Sequence, residues 1–172
     1  DILKNKPDAW LAAETGGKNG VIVSAMSDRD QAIKNVIHSA FSNTGQKCSA
    51  ASLLILEEEV YDDPHFKKQL VDAARSFKVG SAWAFESKMG ALIKAPSGDL
   101  YKALTTLEEM EEWALKPRQV GENPYLWRPG IKYGVRPRSY THMTEFFGPV
   151  LGVMVAENLD QAIELVNMTG YG

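Results

Sequence analysis

Three apolar runs along the chain predict buried strands. Residues 21–23, 52–56 and 150–155 consist largely of aliphatic and β-branched side chains. Such runs are typical of strands that are covered on both faces of a sheet. A further short strand is expected over 131–135, inside the proline-containing segment 116–139, which otherwise predicts irregular chain.

Four amphipathic segments predict helices, because their apolar residues recur three or four positions apart. They cover 28–43, 66–77, 99–114 and a stretch that begins at 159. Ser27 and Asp30 resemble a capping box before the first helix, and Gly45 is a natural stop after it. Asn158 is the expected N-cap of the last helix. The acidic residues of 108–112 are interpreted as the solvated face of the third helix.

Strands that alternate with helices predict an α/β fold with parallel strand pairs. The 172 residues, 44% of them hydrophobic, suffice for one domain with a sizeable core. Nineteen basic and twenty-two acidic residues give a net charge of −3. This balance argues against a general binder of nucleic acid or of anionic membranes, both of which use a basic excess.

The chain holds a single cysteine and lacks any run of eighteen apolar residues. An internal disulfide, a four-thiolate zinc site and a transmembrane helix are therefore not expected. The same composition favours a reducing, cytoplasmic setting. The sequence starts without methionine and stops at a turn-like Gly-Tyr-Gly, so we expect an excised fragment of a longer protein.

Cys48 is the first candidate for chemistry. It lies in the segment GQKCSA, between a predicted helix and a predicted strand, where loops of α/β folds carry their sites. An ordinary thiol is only ~3% ionised at neutral pH, so a nucleophilic cysteine needs oriented N–H groups, a cation or a base nearby. The alternative is a buried structural cysteine, which is the commoner situation for a lone thiol.

Two carboxylates are further candidates. Glu14 precedes a Gly-Gly turn in ETGGKN, where it could act as a general base on water. Glu145 begins EFFGP, where it could accept two hydrogen bonds from a diol such as a ribose. Taken alone, each is more often an ordinary surface or loop carboxylate. The histidines at 38, 65 and 142 do not cluster at ligand spacing, so no metal site is expected.

Together these segments resemble the motifs of the aldehyde dehydrogenase family. ETGGKN is similar to its glutamate motif, GQKCSA to its cysteine motif and EFFGPVLGV to its Glu-x-Phe-Gly-Pro motif. Their order agrees with the family, and Glu14 precedes Cys48 by 34 positions, as in the family. The resemblance extends over 11–172 and implies a three-layer sandwich with a mostly parallel sheet.

One branch of the family is the most similar: the enzymes that oxidise L-glutamate γ-semialdehyde, also called 1-pyrroline-5-carboxylate dehydrogenases. Thr15, Ser49 and the stretch 123–150 carry this similarity. The branch contains stand-alone enzymes and bifunctional proline-utilisation proteins, and the sequence does not choose between them. It also does not choose between NAD and NADP.

The resemblance implies a role for each matching residue in the oxidation. Cys48 would attack the aldehyde carbon, and its own backbone N–H would stabilise the oxyanion. Glu14 would activate the water that releases the acid from the resulting thioester. Ser49 would face the substrate pocket and bond a substrate carboxylate.

The resemblance also implies a cofactor site for NAD. The backbone of Thr15 and Gly16 would lie against the nicotinamide. Glu145 would hold the nicotinamide ribose, with Phe147 beside it. The cofactor-binding domain of the family has no counterpart in these residues. We therefore expect the fragment alone to bind NAD weakly, to be inactive and to self-associate, whereas the parent enzyme is expected to be a homo-oligomer.

Three other interpretations remain open. The parent enzyme could act on a different semialdehyde. The chain could instead be a non-catalytic structural module with the same fold, although the presence of Glu14, Cys48 and Glu145 argues against this. An unrelated cysteine hydrolase would need a histidine partner for Cys48, and no histidine lies in a recognisable motif.

Overall fold

The computed structural model describes residues 2–12 and 15–171, and within them the chain builds a five-stranded sheet in the order β1-β2-β5-β4-β3. The strands are β1 Asn19–Val23, β2 Ala51–Glu57, β3 Glu112–Leu115, β4 Gly130–Tyr133 and β5 Val150–Ala156. The strands β1, β2, β5 and β4 run parallel to one another, and β3 joins the edge antiparallel to β4.

The described part of the chain also contains seven α-helices. They are α1 Ile2–Asn5, α2 Arg29–Phe41, α3 Glu58–Tyr61, α4 Pro64–Ser76, α5 Gly98–Thr105, α6 Tyr140–Met143 and α7 Leu159–Asn167. A 3₁₀ turn, Ser42–Gly45, follows α2 directly. None of the described helices is long and apolar enough to cross a bilayer.

The sheet separates two hydrophobic cores, as the alternation of side chains along a strand requires. Leu54 and Leu56 of β2 pack in the core that contains residues of α2 and α4. Leu53 and Ile55 point to the opposite face, where they pack in the core that contains residues of α7. Helices on both faces of a mostly parallel sheet confirm the expected three-layer α/β sandwich.

The three strands predicted from apolar runs are confirmed as β1, β2 and β5. The predicted burial holds for β2 and β5, whereas the edge strand β1 is partly exposed except at Val23. The first, second and last predicted helices are confirmed as α2, α4 and α7. The start of α2 differs from the expected capping box, because Asp28 is the N-cap and accepts a hydrogen bond from Gln31 N–H at 2.9 Å. Asn158 caps α7 as predicted, through Gln161 N–H at 3.0 Å.

The prediction of a helix over 99–114 is wrong in its second half. The helix α5 ends at Thr105, and the chain then turns through Met110, whose φ is 71°, into the strand β3. Glu111 is therefore not on a solvated helix face; its side chain is 1% exposed and pairs with Lys132 of β4. Pairing of β3 with β4 and this interior contact outweigh the local helical pattern.

Candidate active site

The loop that carries Cys48 is built from an unusual backbone. After α2 ends, Asn43, Thr44 and Gly45 all adopt the left-handed region, with φ of 53°, 61° and 67°. For the two non-glycine residues this conformation costs roughly 1–2 kcal/mol each, and tertiary contacts must hold it. One of these contacts is the Thr44 hydroxyl, which donates to the carbonyl of Gly90 at 3.1 Å. We call residues 42–50 the cysteine loop.

Cys48 itself is exposed, so the alternative of a buried structural cysteine is wrong. The carbonyl of Cys48 is bound by the side chain of Asn19, whose Nδ2 donates to it at 2.6 Å and to the carbonyl of Ala50 at 3.0 Å. Asn19 begins β1. The start of the first strand therefore restrains the backbone from Cys48 to Ala50.

The Gly-Gly turn approaches both other loops of the site. The N–H of Gly17 donates to Glu145 Oε1 at 3.0 Å. A Cβ on Gly16 would lie 1.8 Å from Glu145 Oε2, and a Cβ on Gly17 would lie 2.9 Å from the Cys48 carbonyl oxygen. At Gly17 the contact is with backbone, so a side chain there would displace the cysteine loop, whereas at Gly16 the end of the Glu145 side chain would have to move. The turn therefore lies against the Glu145 carboxylate on one side and the cysteine loop on the other.

Residues 145–149, here called the Glu145 loop, pack directly on the cysteine loop. A Cβ on Gly45 would lie 2.4 Å from the carbonyl oxygen of Gly148, so the two backbones touch. Phe147 has a φ of 51° and a side chain that is 43% exposed, whereas Phe146 is buried. The chain thus buries the first phenyl ring after Glu145 and presents the second one outward.

The structure therefore brings most of the predicted site residues to one place. Cys48, Gly16, Glu145 and Phe147 lie on the cysteine loop, the Gly-Gly turn and the Glu145 loop, which contact one another. The other predicted residues in the described chain, Thr15 and Ser49, are exposed beside Gly16 and Cys48. Glu14 lies outside the described residues, so its predicted role as general base stays a prediction.

A buried charged group beneath the site was not predicted from the sequence. Lys18 directly follows the Gly-Gly turn, yet it is only 1% exposed, and its Nζ lies 4.2 Å from the centroid of the Phe146 ring. Among the described residues this ammonium nitrogen has no hydrogen-bond partner. Burial, with a smaller contribution from Lys132, lowers the pKa of Lys18 from 10.5 to about 7, while Glu145 and Glu111 oppose the shift.

Lys132 is buried next to it with partners. Its Nζ donates to Glu111 Oε2 at 3.1 Å and to the Thr141 hydroxyl at 3.2 Å. Burial lowers the pKa of Lys132, and the Glu111 carboxylate opposes this. We call Lys18, Glu111, Lys132 and His142 the buried charge cluster.

His142 completes the cluster as a neutral ring. Its Nδ1 accepts the N–H of Arg138 at 2.9 Å, so Nε2 carries the proton and donates to the carbonyl of Leu165 at 2.9 Å. Burial lowers its pKa, and the Lys18 charge lowers it further. Within 2–12 and 15–171, no three His, Cys, Asp or Glu side chains are grouped as metal ligands.

Comparison with known proteins agrees with this arrangement. The model of the aldehyde dehydrogenase family matches residues 5–172. A protein of Oceanobacillus iheyensis named 1-pyrroline-5-carboxylate dehydrogenase is 30% identical over 94% of this chain and 31% of its own length. The chain thus spans about a third of the curated relatives it matches.

Solved structures give the same result. Proline utilization A from Corynebacterium freiburgense is 48% identical, with a TM-score of 0.88 over 92% of this chain and 16% of its own. A γ-glutamyl-γ-aminobutyraldehyde dehydrogenase from Burkholderia cenocepacia is 29% identical, with a TM-score of 0.80 over 92% of this chain and 32% of its own. The chain belongs to the aldehyde dehydrogenase family, whose members are oxidoreductases.

Proposed function

We propose that these residues form the nucleophile-bearing part of a longer dehydrogenase that oxidises L-glutamate γ-semialdehyde to glutamate with NAD. The observation that carries the proposal is the contact between the cysteine loop, the Gly-Gly turn and the Glu145 loop around an exposed thiol. The similarity to proline utilization A and to 1-pyrroline-5-carboxylate dehydrogenase supports the choice of substrate. A homo-oligomeric, cytoplasmic parent enzyme is part of the same hypothesis.

The residues present fit a nicotinamide ribose. Glu145 Oε1 is held by the Gly17 N–H, while Oε2 accepts no hydrogen bond from the described part of the chain. A carboxylate oxygen of this kind is ready to accept a sugar hydroxyl. The exposed Phe147 ring stands next to it as an apolar wall. Gly16 brings backbone without a side chain to the same place.

Cys48 begins the proposed reaction as a thiolate that attacks the aldehyde carbon. The new carbon–sulfur bond converts the carbonyl oxygen into an oxyanion, to which the backbone N–H of Cys48 donates. One such donor typically contributes about 3–4 kcal/mol to the transition state. Asn19 restrains the same peptide segment through the carbonyl of Cys48, so the donor is oriented before the substrate arrives.

The second half of the reaction is hydrolysis of the thioester on Cys48. NAD, when bound, supplies the hydride acceptor for the oxidation. Glu14 then takes a proton from water, the hydroxide attacks the acyl carbon, and the carbon–sulfur bond breaks to restore the Cys48 thiolate. Ser49, exposed beside Cys48, would donate its hydroxyl hydrogen bond to the substrate carboxylate.

Two variants of the full-length enzyme test this assignment. Cys48→Ser is expected to lower kcat by at least about a thousandfold, because an unactivated hydroxyl replaces the thiolate. Glu14→Gln is expected to keep a single burst of NADH and to lose turnover, because the thioester forms and persists. Ser76→Ala, at the exposed end of α4, is the control and keeps wild-type rates. Steady turnover by Cys48→Ser would contradict the proposal.

The substrate is tested with a panel of aldehydes on the wild-type enzyme. L-glutamate γ-semialdehyde should give the highest kcat/KM. A higher value for γ-glutamyl-γ-aminobutyraldehyde, the substrate in the name of the Burkholderia relative, would support the alternative of a different semialdehyde. No activity on any aldehyde would favour a non-catalytic module. For the 172 residues alone, calorimetry should detect weak NAD binding at most.

A further inference from the structure

The side chain of Gln46 joins the two loops that form the site. Its Nε2 donates to the carbonyl of Phe147 at 3.1 Å, and its Oε1 accepts the N–H of Ile93 at 2.9 Å. The partners are 101 and 47 positions away in the sequence. The orientation of the amide is determined, because a carbonyl can only accept and a backbone N–H can only donate.

The first of these bonds ends on a strained residue. Phe147 holds a φ of 51°, a region that costs a non-glycine residue roughly 1–2 kcal/mol. Such a conformation persists only where surrounding contacts determine it. The Gln46 amide binds the carbonyl of this residue, and the direct contact between Gly45 and Gly148 lies beside it.

The two residues joined by this hydrogen bond, Gln46 and Phe147, are also close in sequence to the proposed site residues. Gln46 precedes Cys48 by two positions, and Phe147 follows Glu145 by two. One amide therefore links the segment that carries the thiol to the segment that carries the exposed phenyl ring and the free carboxylate oxygen. In the described part of the chain, this is the side-chain hydrogen bond that connects the cysteine loop to the Glu145 loop.

We propose that Gln46 is a positioning residue that holds the Glu145 loop in register with the Cys48 thiol. It acts through the backbone of Phe147 and touches neither the aldehyde nor the cofactor. The inference rests on the proposed function, which assigns Cys48 to the aldehyde and the Glu145 loop to NAD. Its consequence is that Gln46 determines how well the enzyme holds its cofactor beside the nucleophile.

The test compares two variants of Gln46 in the full-length enzyme. Gln46→Met keeps the length of the side chain and removes both hydrogen bonds, and we expect the KM for NAD to rise about tenfold, the effect of losing one or two ordinary hydrogen bonds at a partly exposed side chain. The kcat at saturating NAD should fall less than threefold. A role limited to folding would lower the amount of active enzyme, and therefore the apparent kcat, without changing the KM.

Gln46→Glu provides the second readout. A carboxylate still accepts the Ile93 N–H but repels the Phe147 carbonyl, whereas a protonated carboxyl donates to that carbonyl again. The KM for NAD should therefore be raised at high pH and return toward the wild-type value as the pH falls through the pKa of the new carboxyl group. This variant retains one of the two bonds, so it keeps the test open if Gln46→Met fails to fold.

The control is Gln119→Met. Gln119 is an exposed glutamine whose Nε2 donates to the carbonyl of Gly121 at 3.1 Å, outside the three site loops. It should leave the KM for NAD unchanged. The proposed role of Gln46 is overturned if Gln46→Met has the wild-type KM for NAD. It is also overturned if the raised KM of Gln46→Glu does not change with pH. If the wild-type enzyme does not oxidise aldehydes with NAD, the proposed function fails first and the inference with it.

Discussion

The cysteine loop and the buried charge cluster are both energetically unfavourable, but for different reasons. The cysteine loop places three successive residues in the left-handed region while its thiol stays in solvent. The buried charge cluster places two lysines at 1% exposure, one of them against the Phe146 ring. The energetic cost of backbone strain in a surface loop is local and does not depend on pH. A buried ionisable group, in contrast, makes the free energy of unfolding depend on pH, because it binds protons differently in the folded and unfolded chain. The two regions should therefore respond differently to mutation.

The largest effect on stability is expected from Glu111→Leu. It removes the carboxylate that pairs with Lys132 in the interior and should lower the free energy of unfolding by about 3–5 kcal/mol, the usual effect of leaving a buried charge without its partner. Urea unfolding measures this value. The double variant with Lys132→Met should recover most of the loss. A double variant as unstable as the single one would show that packing, not charge, sets the stability there.

The next largest effect is expected from Gly45→Ala in the cysteine loop. The left-handed φ and the Cβ contact of 2.4 Å with the Gly148 carbonyl act together, and the loss should be about 2–5 kcal/mol. Gly121→Ala is a matched control, because its φ is 61° and a Cβ there meets open space. It should lose about 1–2 kcal/mol from the backbone alone. Equal losses in urea unfolding would mean that the Gly45–Gly148 contact is unimportant.

A pH-dependent effect, smaller per pH unit than the two effects above, is expected from Lys18→Met. Burial lowers the pKa of Lys18 to about 7 in the folded chain, against 10.5 for a free lysine. Between these values the unfolded chain holds a proton that the folded chain lacks. Lys18 therefore makes stability rise with pH by up to about 1.4 kcal/mol per unit between pH 7 and 10.5.

Lys18→Met should remove this contribution, so the variant gains most over the wild type near pH 7 and little near pH 10. Urea unfolding over this range measures the difference. Lys34→Met, on the exposed side of α2, should leave the slope unchanged. If the free energy of unfolding of Lys18→Met changes with pH as steeply as that of the wild type, Lys18 keeps its proton in the folded protein. Lys132 contributes in the same direction, because burial lowers its pKa too.

The contrast between the two regions also explains what could be predicted from the sequence. The apolar runs of β2 and β5 mark the centre of the sheet, because continuous burial leaves a continuous pattern. The cysteine and Glu145 segments were predictable as a site only through motifs, because the hydrogen bond between them joins residues 101 positions apart and no local pattern carries it.

The buried charges were not predictable at all. Glu111 lies among acidic residues whose pattern predicts a solvent-exposed surface, and its burial depends on Lys132, 21 positions away. Lys18 follows two glycines, and its burial depends on the Phe146 ring, 128 positions away in the sequence. Charged residues are rarely buried unless paired, so the local sequence favours the opposite expectation for both.

The smallest effect on stability is expected at the residue that matters most for the proposed chemistry. Cys48 is exposed, so Cys48→Ala removes little buried surface and should change the free energy of unfolding by less than about 0.5 kcal/mol. The same variant should abolish aldehyde oxidation by the full-length enzyme. Urea unfolding beside a turnover assay separates the two. A loss above about 1 kcal/mol would show that the thiol helps to hold the strained loop, and that strain and function are not separable at this position.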